Sequence, residues 1–284
     1  MAPALHDKLA IVTGASRGIG EAIATKLASY GANLILGYTS ASSKQAIETL
    51  AKDFESKHSI KTLIIQADLG TADGPKSFIE EAKNSNVFQK PDGSFQIDIL
   101  VNNAGVSINS VLSGITVEQF DYSYRINVLG PLLLTQAVEP YLPHDRSGRI
   151  INMSSVSSST GFSEQSVYGG TKAALEAMTR TWARELAERT TVNAINPGPV
   201  LTEMYARNSP EVKAGIKGWI DHTPLMQVRP GIDSQELVDE AKTSGGRPAY
   251  VHEIAGIVAM LVGEDAAWIT GQVVCANGGM LLSH

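Results

Sequence analysis

Tyr168 and Lys172 have the types and the spacing that proton transfer requires. Residues four apart share one face of a helix, so a phenol and an ammonium group would lie side by side. A tyrosine with a pKa of about 10 is a poor acid at neutral pH, but a neighbouring cation stabilises its phenolate. The pair therefore predicts that Lys172 lowers the pKa of Tyr168 and makes it a general acid. A Tyr and a Lys at this spacing are also common in ordinary helices, so the prediction depends on the residues around them.

Hydroxyl side chains follow a strand-like run at Arg149–Met153. A serine at the end of a strand can donate a hydrogen bond to a substrate carbonyl oxygen and so polarise it. Ser154, Ser155 and Ser157 are the candidates for this role.

A glycine-rich segment runs from Thr13 to Gly20, between the first strand-like run and the first helical pattern. Its G-x-x-x-G-x-G spacing allows a tight turn and lets backbone N–H groups approach a pyrophosphate at the positive end of a helix dipole. The segment predicts a dinucleotide site, with a merely tight connection as the alternative.

Together with the Asn-Asn-Ala-Gly sequence at 102–105, these motifs resemble the short-chain dehydrogenase/reductase superfamily. The resemblance runs from Lys8 to Met280 and looks most like the 3-oxoacyl-thioester reductase and polyhydroxy-aromatic ketone reductase branch. It implies a single-domain Rossmann fold, a nicotinamide cofactor and hydride transfer.

The resemblance also assigns roles to four residues, which form the expected catalytic set. The family places its catalytic serine thirteen residues before the tyrosine, which selects Ser155 as the group that polarises the carbonyl and Tyr168 as the proton donor. Lys172 would also bind the nicotinamide ribose, and Asn127 would hold a water that connects Lys172 to solvent. The two glycines at 169–170 depart from the family pattern and predict that this helix begins loosely.

The second strand-like run predicts which nicotinamide cofactor binds. An NAD-specific site places a carboxylate at the end of that strand, whereas here Tyr38, Thr39 and Ser40 occupy the position. Arg17 supplies a cation for a 2′-phosphate, so the sequence predicts NADP(H). By resemblance Asp68 contacts the adenine, although an Asp that caps a helix needs no ligand. The expected cofactor-binding residues are Gly14, Ser16, Arg17, Gly18, Ile19, Gly20, Tyr38, Thr39, Ser40, Asp68, Leu69, Asn103, Ala104, Gly105, Tyr168, Lys172, Pro197, Gly198, Val200 and Thr202, and no metal site is expected.

Short β-branched runs alternate with helical patterns over most of the chain, which predicts an α/β, doubly wound parallel sheet of about seven strands with helices on both faces. The expected strands are Leu9–Thr13, Leu34–Tyr38, Thr62–Ala67, Ile97–Asn102, Arg149–Met153, Thr191–Ile195 and Gln272–Ala276. We expect one domain over 1–284 with an insertion at about 199–250, which a loop of that length makes a substrate wall or lid. Its Met204, Tyr205, Trp219, Leu225 and Met226 suit a bulky or planar ligand, or else pack the segment onto its own domain.

Composition excludes several classes of protein. Apolar residues make up 43% and charged residues 18%, which is ample for a folded core. A formal charge of -6 without a basic stripe argues against nucleic acid and anionic membrane as partners. The single Cys275, together with the absence of an apolar leader in Met1–Lys8, makes the cytoplasm the expected location.

These features predict an NADPH-dependent reductase of a ketone, quinone or 3-oxoacyl carbonyl. An NAD-linked alcohol or polyol dehydrogenase and a non-catalytic cofactor-binding scaffold are the alternatives. By resemblance we expect a homotetramer, paired through the helices at Gln119–Val138 and Val167–Ala187 and through the last strand near Cys275, with a dimer as the alternative.

Overall fold

Seven parallel strands form the central sheet of the computed structural model, which describes residues 4–282. The strands are β1 (Leu9–Val12), β2 (Asn33–Tyr38), β3 (Thr62–Gln66), β4 (Ile99–Asn102), β5 (Gly148–Met153), β6 (Thr190–Pro197) and β7 (Val273–Ala276). Their order across the sheet is β3-β2-β1-β4-β5-β6-β7. The predicted doubly wound fold is confirmed, and every predicted strand is present within two residues of its expected bounds. The expectation drawn from Met1–Lys8 falls partly on residues 1–3, which lie outside the described residues.

Ten helices connect the strands in the described part of the chain. They are α1 (Gly18–Ser29), α2 (Lys44–His58), α3 (Gly74–Asn84), α4 (Val117–Tyr124), α5 (Gly130–Val138), α6 (Ser166–Glu185), α7 (Glu203–Ala206), α8 (Pro210–Asp221), α9 (Gln235–Ser244) and α10 (Val251–Val262). Helices α1, α2 and α10 bury apolar residues on one face of the sheet, and α3, α5 and α6 do so on the other.

Strand β1 shows why the sheet is covered on both faces. Successive side chains of a strand point to opposite sides. Ala10 and Val12 belong to the core layer beneath α1 and α10, whereas Leu9 and Ile11 belong to the layer beneath α3 and α6. Because both of its faces are buried, a central parallel strand has a continuous apolar sequence, and this made β1 predictable.

The helix expected over Gln119–Val138 is interrupted. Between α4 and α5 the backbone forms a π-helical turn at Arg125–Leu129. Asn127 lies in this turn and is buried. π-helical turns occur mostly as single insertions within α-helices, frequently at functional sites.

Helix α6 begins at Ser166, so the loose start predicted from the glycines at 169–170 is wrong. The N–H of Gly169 already donates to the carbonyl oxygen of Gln165 over 2.7 Å. A Cβ at Gly169 would lie 2.4 Å from the carbonyl oxygen of Ser157. The glycine therefore permits a close approach between α6 and the turn that follows β5.

The segment at 199–250 folds into α7, α8 and α9. Its two ends meet through a β-bridge between Val200 and Ala249. Ile220 and Met226 are buried and join Val156 in a small apolar cluster, which fastens the segment to the rest of the domain. Met204 and Leu225 are 47% and 71% exposed, so only some of the apolar residues of the segment pack it onto the rest of the domain. Within residues 4–282, no helix has the length and apolar character that crossing a membrane requires.

Candidate active site

A cleft of about 1600 Å³ lies at the carboxyl ends of the strands. The direction of the strand order reverses between β1 and β4, and the connections leaving these two strands diverge there to opposite faces of the sheet. Open α/β sheets bind their ligands at such a point. The segment at 199–250 contributes the outer wall of the cleft through residues such as Met204, Tyr205 and Asn208.

The glycine-rich turn after β1 is held by contacts to the end of β4. The Thr13 hydroxyl oxygen accepts hydrogen bonds from the backbone N–H groups of Asn103 and Ala104, both over 2.9 Å. Gly14 has a φ of 63°, and a Cβ at Gly20 would lie 2.1 Å from the carbonyl oxygen of Gly14. The turn can form only with glycine at these positions, because the chain crosses itself at close range.

Helix α1 starts in the cleft with free N–H groups. Arg17 is its N-cap residue and, within the described residues, makes no side-chain cap hydrogen bond. The first N–H groups of a helix need partners and carry a partial positive charge. The loop residues Gly14, Ser16, Gly18, Ile19 and Gly20 all line the cleft beside them, so this end of the cleft fits a pyrophosphate.

The end of the cleft where the sequence predicts the adenosine has polar residues, and no carboxylate, at the end of β2. Tyr38, Thr39 and Ser40 line it, together with Asp68 and Leu69. The Thr39 hydroxyl donates to the carbonyl oxygen of Ala67 over 3.1 Å, so its single hydrogen is already used and it can only accept from another group. The Asp68 carboxylate accepts from the N–H of Gly70 over 2.9 Å, which orders this turn without any ligand.

Arg17 lies between the glycine loop and the segment at 199–250. Its side chain is 57% exposed, and its Nε lies 3.7 Å from a carboxylate oxygen of Glu203 at the start of α7. The same Glu203 oxygen accepts from Arg207 over 3.2 Å. A phosphate at this position would therefore compete with a carboxylate of the chain for Arg17.

The four residues expected to be catalytic converge on one part of the cleft. The Ser155 side chain lies beside the Tyr168 hydroxyl, close enough to affect its pKa. Lys172 Nζ lies 5.7 Å from the centre of the Tyr168 ring and donates to the carbonyl oxygen of Met153 over 2.7 Å. Gly105 packs closely against Lys172 and Asn127. A Cβ at Gly105 would lie 3.4 Å from Lys172 Nζ and 3.1 Å from Asn127 Oδ1.

Asn127 is held firmly by its neighbours. Its side-chain oxygen accepts from the N–H of Val106 over 2.9 Å, and its nitrogen donates to the Val106 carbonyl oxygen over 2.8 Å. The nitrogen also donates to the Thr171 hydroxyl over 3.0 Å, which in turn donates to the Tyr168 carbonyl oxygen over 2.7 Å. The asparagine therefore ties the π-helical turn to α6 and to the loop after β4.

The structure separates the three candidate serines. Ser154 is buried and donates to the Glu176 carboxylate over 2.6 Å. Ser155 instead lines the cleft and contacts Tyr168. Ser157 also lines the cleft and accepts a hydrogen bond from Ser155 over 3.1 Å. Ser155 is therefore the serine in a position to share a substrate oxygen with Tyr168.

The pKa values of the pair differ from the sequence-based expectation. Removal from bulk water raises the pKa of Tyr168, and the nearby Ser155 side chain opposes this rise. Burial lowers the pKa of Lys172 to about 8, against an opposing effect of the Glu176 carboxylate. In the chain alone, burial therefore shifts the Tyr168 pKa in the direction opposite to the lowering that was predicted from Lys172.

The end of the cleft where the resemblance predicts the nicotinamide is formed where β6 ends. Pro197, Gly198 and Val200 line the cleft there, together with Thr202. The Thr202 hydroxyl accepts from the N–H of Tyr205 over 3.3 Å and caps α7. A Cβ at Gly18 would lie 3.5 Å from Thr202 Cγ2, so the start of the 199–250 segment borders the glycine-rich turn after β1.

Sequence reasoning missed several residues in the cleft and directly behind it. Glu176 lies one helical turn after Lys172 and affects its pKa, and the spacing of four was a signal that could have found it. Asn109, Gln165 and Asn208 form hydrogen bonds with one another along the cleft. Their positions in the sequence gave no signal. Within the described residues, no group of three or more His, Cys, Asp or Glu side chains is arranged to hold a metal ion.

A parallel sheet with a glycine-rich phosphate loop beside a Ser-Tyr-Lys cluster is typical of dinucleotide-dependent oxidoreductases. Residues 8–213 match the family model described as short chain dehydrogenase. The L-xylulose reductase of Aspergillus niger is 50% identical over 298 residues, covering 99% of each chain. The L-xylo-3-hexulose reductase of Hypocrea jecorina is 48% identical over 302 residues, covering 100% of this chain and 99% of the relative.

Among solved structures, the angucycline C-6 ketoreductase LanV with bound NADP superposes with a TM-score of 0.82 at 32% identity, covering 100% of this chain and 99% of the other. The chain belongs to the short-chain dehydrogenase/reductase family. The predicted family is confirmed, including its reductase branch.

Proposed function

We propose that this chain reduces the keto group of an open-chain polyhydroxy ketone with NADPH. The observation that carries the proposal is the convergence of Ser155, Tyr168 and Lys172 beside the phosphate loop. The two curated relatives at about half identity, which are named as reductases of L-xylulose and of L-xylo-3-hexulose, support a keto sugar within the predicted class of ketones.

The residues at the adenosine end support NADP(H). No carboxylate follows β2 to bind the ribose hydroxyls, and Arg17 places a guanidinium beside the phosphate loop. Ser40 is exposed and shares a hydrogen bond with Ser42, so its hydroxyl can turn toward a phosphate. The glycine turn, in which a Cβ would clash, suits the close approach of the pyrophosphate.

In the proposed reaction, the Ser155 hydroxyl turns from Ser157 and donates its hydrogen bond to the carbonyl oxygen instead. Tyr168 gives its phenolic proton to the same oxygen. When bound, NADPH supplies the hydride for the carbonyl carbon. Lys172 carries the positive charge that stabilises the resulting phenolate, and Asn127 holds the helices that position Tyr168 and Lys172.

Substitution of Tyr168 by Phe tests the proposed acid. We expect turnover of L-xylulose to fall below a few per cent of the wild-type value, while the Kd for NADPH stays within about threefold, because the substitution removes one hydroxyl. A Tyr30→Phe variant, altered at the end of α1, serves as the matched control. A Tyr168→Phe enzyme with near-normal kcat would refute the proposed role.

Calorimetric titration at fixed salt tests the cofactor. We expect NADPH to bind at least tenfold more tightly than NADH, about 1.4 kcal/mol, and Arg17→Ala to reduce the affinity for NADPH more than that for NADH. Equal or reversed affinities would favour the NAD-linked alcohol or polyol dehydrogenase. Failure to bind either nucleotide would favour the scaffold.

We further propose one domain over 1–284, with the segment at about 199–250 as its substrate wall, acting in the cytoplasm as a homotetramer. Exposed apolar side chains support assembly, namely Val117, Phe120 and Leu132 on α4 and α5, and Trp268, which is 99% exposed. Light scattering of the purified protein distinguishes a tetramer from the dimer that is the alternative.

A further inference from the structure

A row of hydrogen-bonded polar side chains runs along the cleft from the carbonyl-binding serine. Ser155 donates to Ser157 over 3.1 Å, and Ser157 donates to Gln165 Oε1 over 2.5 Å. Gln165 Nε2 donates to Asn109 Oδ1 over 3.3 Å, and Asn109 Nδ2 donates to Asn208 Oδ1 over 3.3 Å. All five side chains line the cleft, so the row leads from the reacting end to the outer wall.

The members of this polar row come from four separate elements. Ser157 follows β5, Gln165 precedes α6, Asn109 lies in the connection after β4, and Asn208 follows α7. The connections that carry Asn109 and Gln165 are joined by a backbone hydrogen bond of 2.8 Å from Ser110 to Glu164. The row is therefore held in place by the backbone on its inner side and completed by the 199–250 segment on its outer side.

The amides of the row keep capacity for a ligand. Each amide has two N–H donors and an oxygen with two lone pairs. Within the described residues, the side-chain nitrogens of Gln165 and Asn109 each make one hydrogen bond, and that bond is to the next member of the row. One donor on each of them is left for a group in the cleft.

Tyr205 supplies an independent observation at the outer wall. Its ring lines the same cleft, and its hydroxyl oxygen is buried without a hydrogen-bond partner among residues 4–282. Buried hydroxyls in proteins are nearly always paired. After a small turn of the Tyr205 ring toward the cleft, a hydroxyl of a bound ligand would provide the missing partner.

We propose that the polar row and Tyr205 form a subsite that binds the hydroxyl groups along the carbon chain of the substrate. The inference rests on the proposed function and names the residues that determine which ketone the enzyme accepts. Hydroxyls both donate and accept, as the amides do, and they can replace or extend the bonds of the row. An acyl chain or a planar quinone in the same place would leave these groups unpaired, and sites built to bind a hydroxyl reject analogues that lack it.

Two isosteric variants test the subsite without disturbing the catalytic residues. Tyr205→Phe removes only the buried hydroxyl, and Gln165→Met removes the amide at nearly constant shape. The substrates are L-xylulose and pentane-2,3-dione, which has the same number of carbons and no hydroxyl. The matched control is Gln235→Met, an exposed amide at the start of α9 that pairs with Asp239.

We expect each variant to lower kcat/KM for L-xylulose about tenfold, mainly through KM, because each loses one hydrogen bond to the substrate. The value for the dione should stay within about twofold, as should the Kd for NADPH and both values for Gln235→Met. A wild-type enzyme that accepts L-xylulose and rejects the dione would equally support the subsite.

Two results would contradict the proposals, and they are distinguishable. If the wild type turns over L-xylulose and both variants keep their kcat/KM for it within about twofold, the subsite is wrong while the proposed function stands. If the wild type does not turn over L-xylulose although it binds NADPH, the proposed ketose activity is wrong.

Discussion

Replacing Gly169 by alanine tests how closely α6 must approach the turn after β5. The added Cβ would lie 2.4 Å from the Ser157 carbonyl oxygen and 3.3 Å from the carbonyl carbon. Non-bonded heavy atoms prefer separations of about 3.5 Å, so helix and turn must move apart by roughly 1 Å. The obstacle is backbone, which cannot rotate away as the end of a side chain could.

The two consequences of this displacement differ in size. Overpacking costs about 1–3 kcal/mol, and alanine regains about 1 kcal/mol of helix propensity, so the net loss of stability should be no more than about 2 kcal/mol. The displaced turn is the one that follows Ser155, and Tyr168 directly precedes the glycine. A misplacement of about 1 Å between reacting groups can cost about a hundredfold in rate. We therefore expect kcat to fall far more than stability does.

The assay combines the kcat of ketone reduction with urea unfolding of the same samples. Gly215→Ala in α8 is the control, since a Cβ there would meet nothing within 4 Å and the glycine is exposed. We expect this control to keep its kcat and to gain up to about 1 kcal/mol of stability. A Gly169→Ala enzyme with kcat within threefold of the wild type would refute the reasoning from the close contact.

Three further predictions follow from contacts described above. Glu176→Gln removes the carboxylate that opposes the lowering of the Lys172 pKa to about 8, so this pKa should fall further. The alkaline limb of the kcat/KM profile for reduction, where this lysine loses its proton, should then move to lower pH, and an unmoved limb would contradict the coupling. Glu203→Gln frees Arg17 and should tighten NADPH binding a few-fold at low salt, with the gain disappearing in titrations at high salt. Phe78→Ala should destabilise the protein by about 3–5 kcal/mol in urea unfolding, since its side chain is 1% exposed, and a loss below about 1 kcal/mol would be inconsistent with that burial.

Much of the fold was predictable because its signals are local. Strand β1 is a short apolar run that is buried on both faces. The turn after it needs positive φ angles, which glycine adopts readily because it has no side chain. Ser155, Tyr168 and Lys172 follow from the thirteen-residue and four-residue spacings of the family that the sequence resembles. These spacings are local, so the residues can be recognised without knowing any contact between distant parts of the chain.

The remaining features depend on contacts between distant parts of the chain. Asn109 and Asn208 are 99 residues apart, and nothing in either neighbourhood indicates that their amides meet. The pKa of Tyr168 could not be read from its distance to Lys172 along the helix, because burial determines its direction. The glycine at 169 looked like a weak point of the helix, whereas its role is set by the Ser157 carbonyl packed against it.

The π-helical turn at Arg125–Leu129 makes the placement of Asn127 depend on the number of residues in the chain as well as on their types. A π turn accommodates one residue more than an α turn. Deleting a single residue there would restore an unbroken α-helix from α4 to α5, and the widened turn that carries Asn127 would be lost. The helix would survive, but Asn127 could no longer reach both Val106 and Thr171. A one-residue deletion would thus leave the helix formed but disrupt the site.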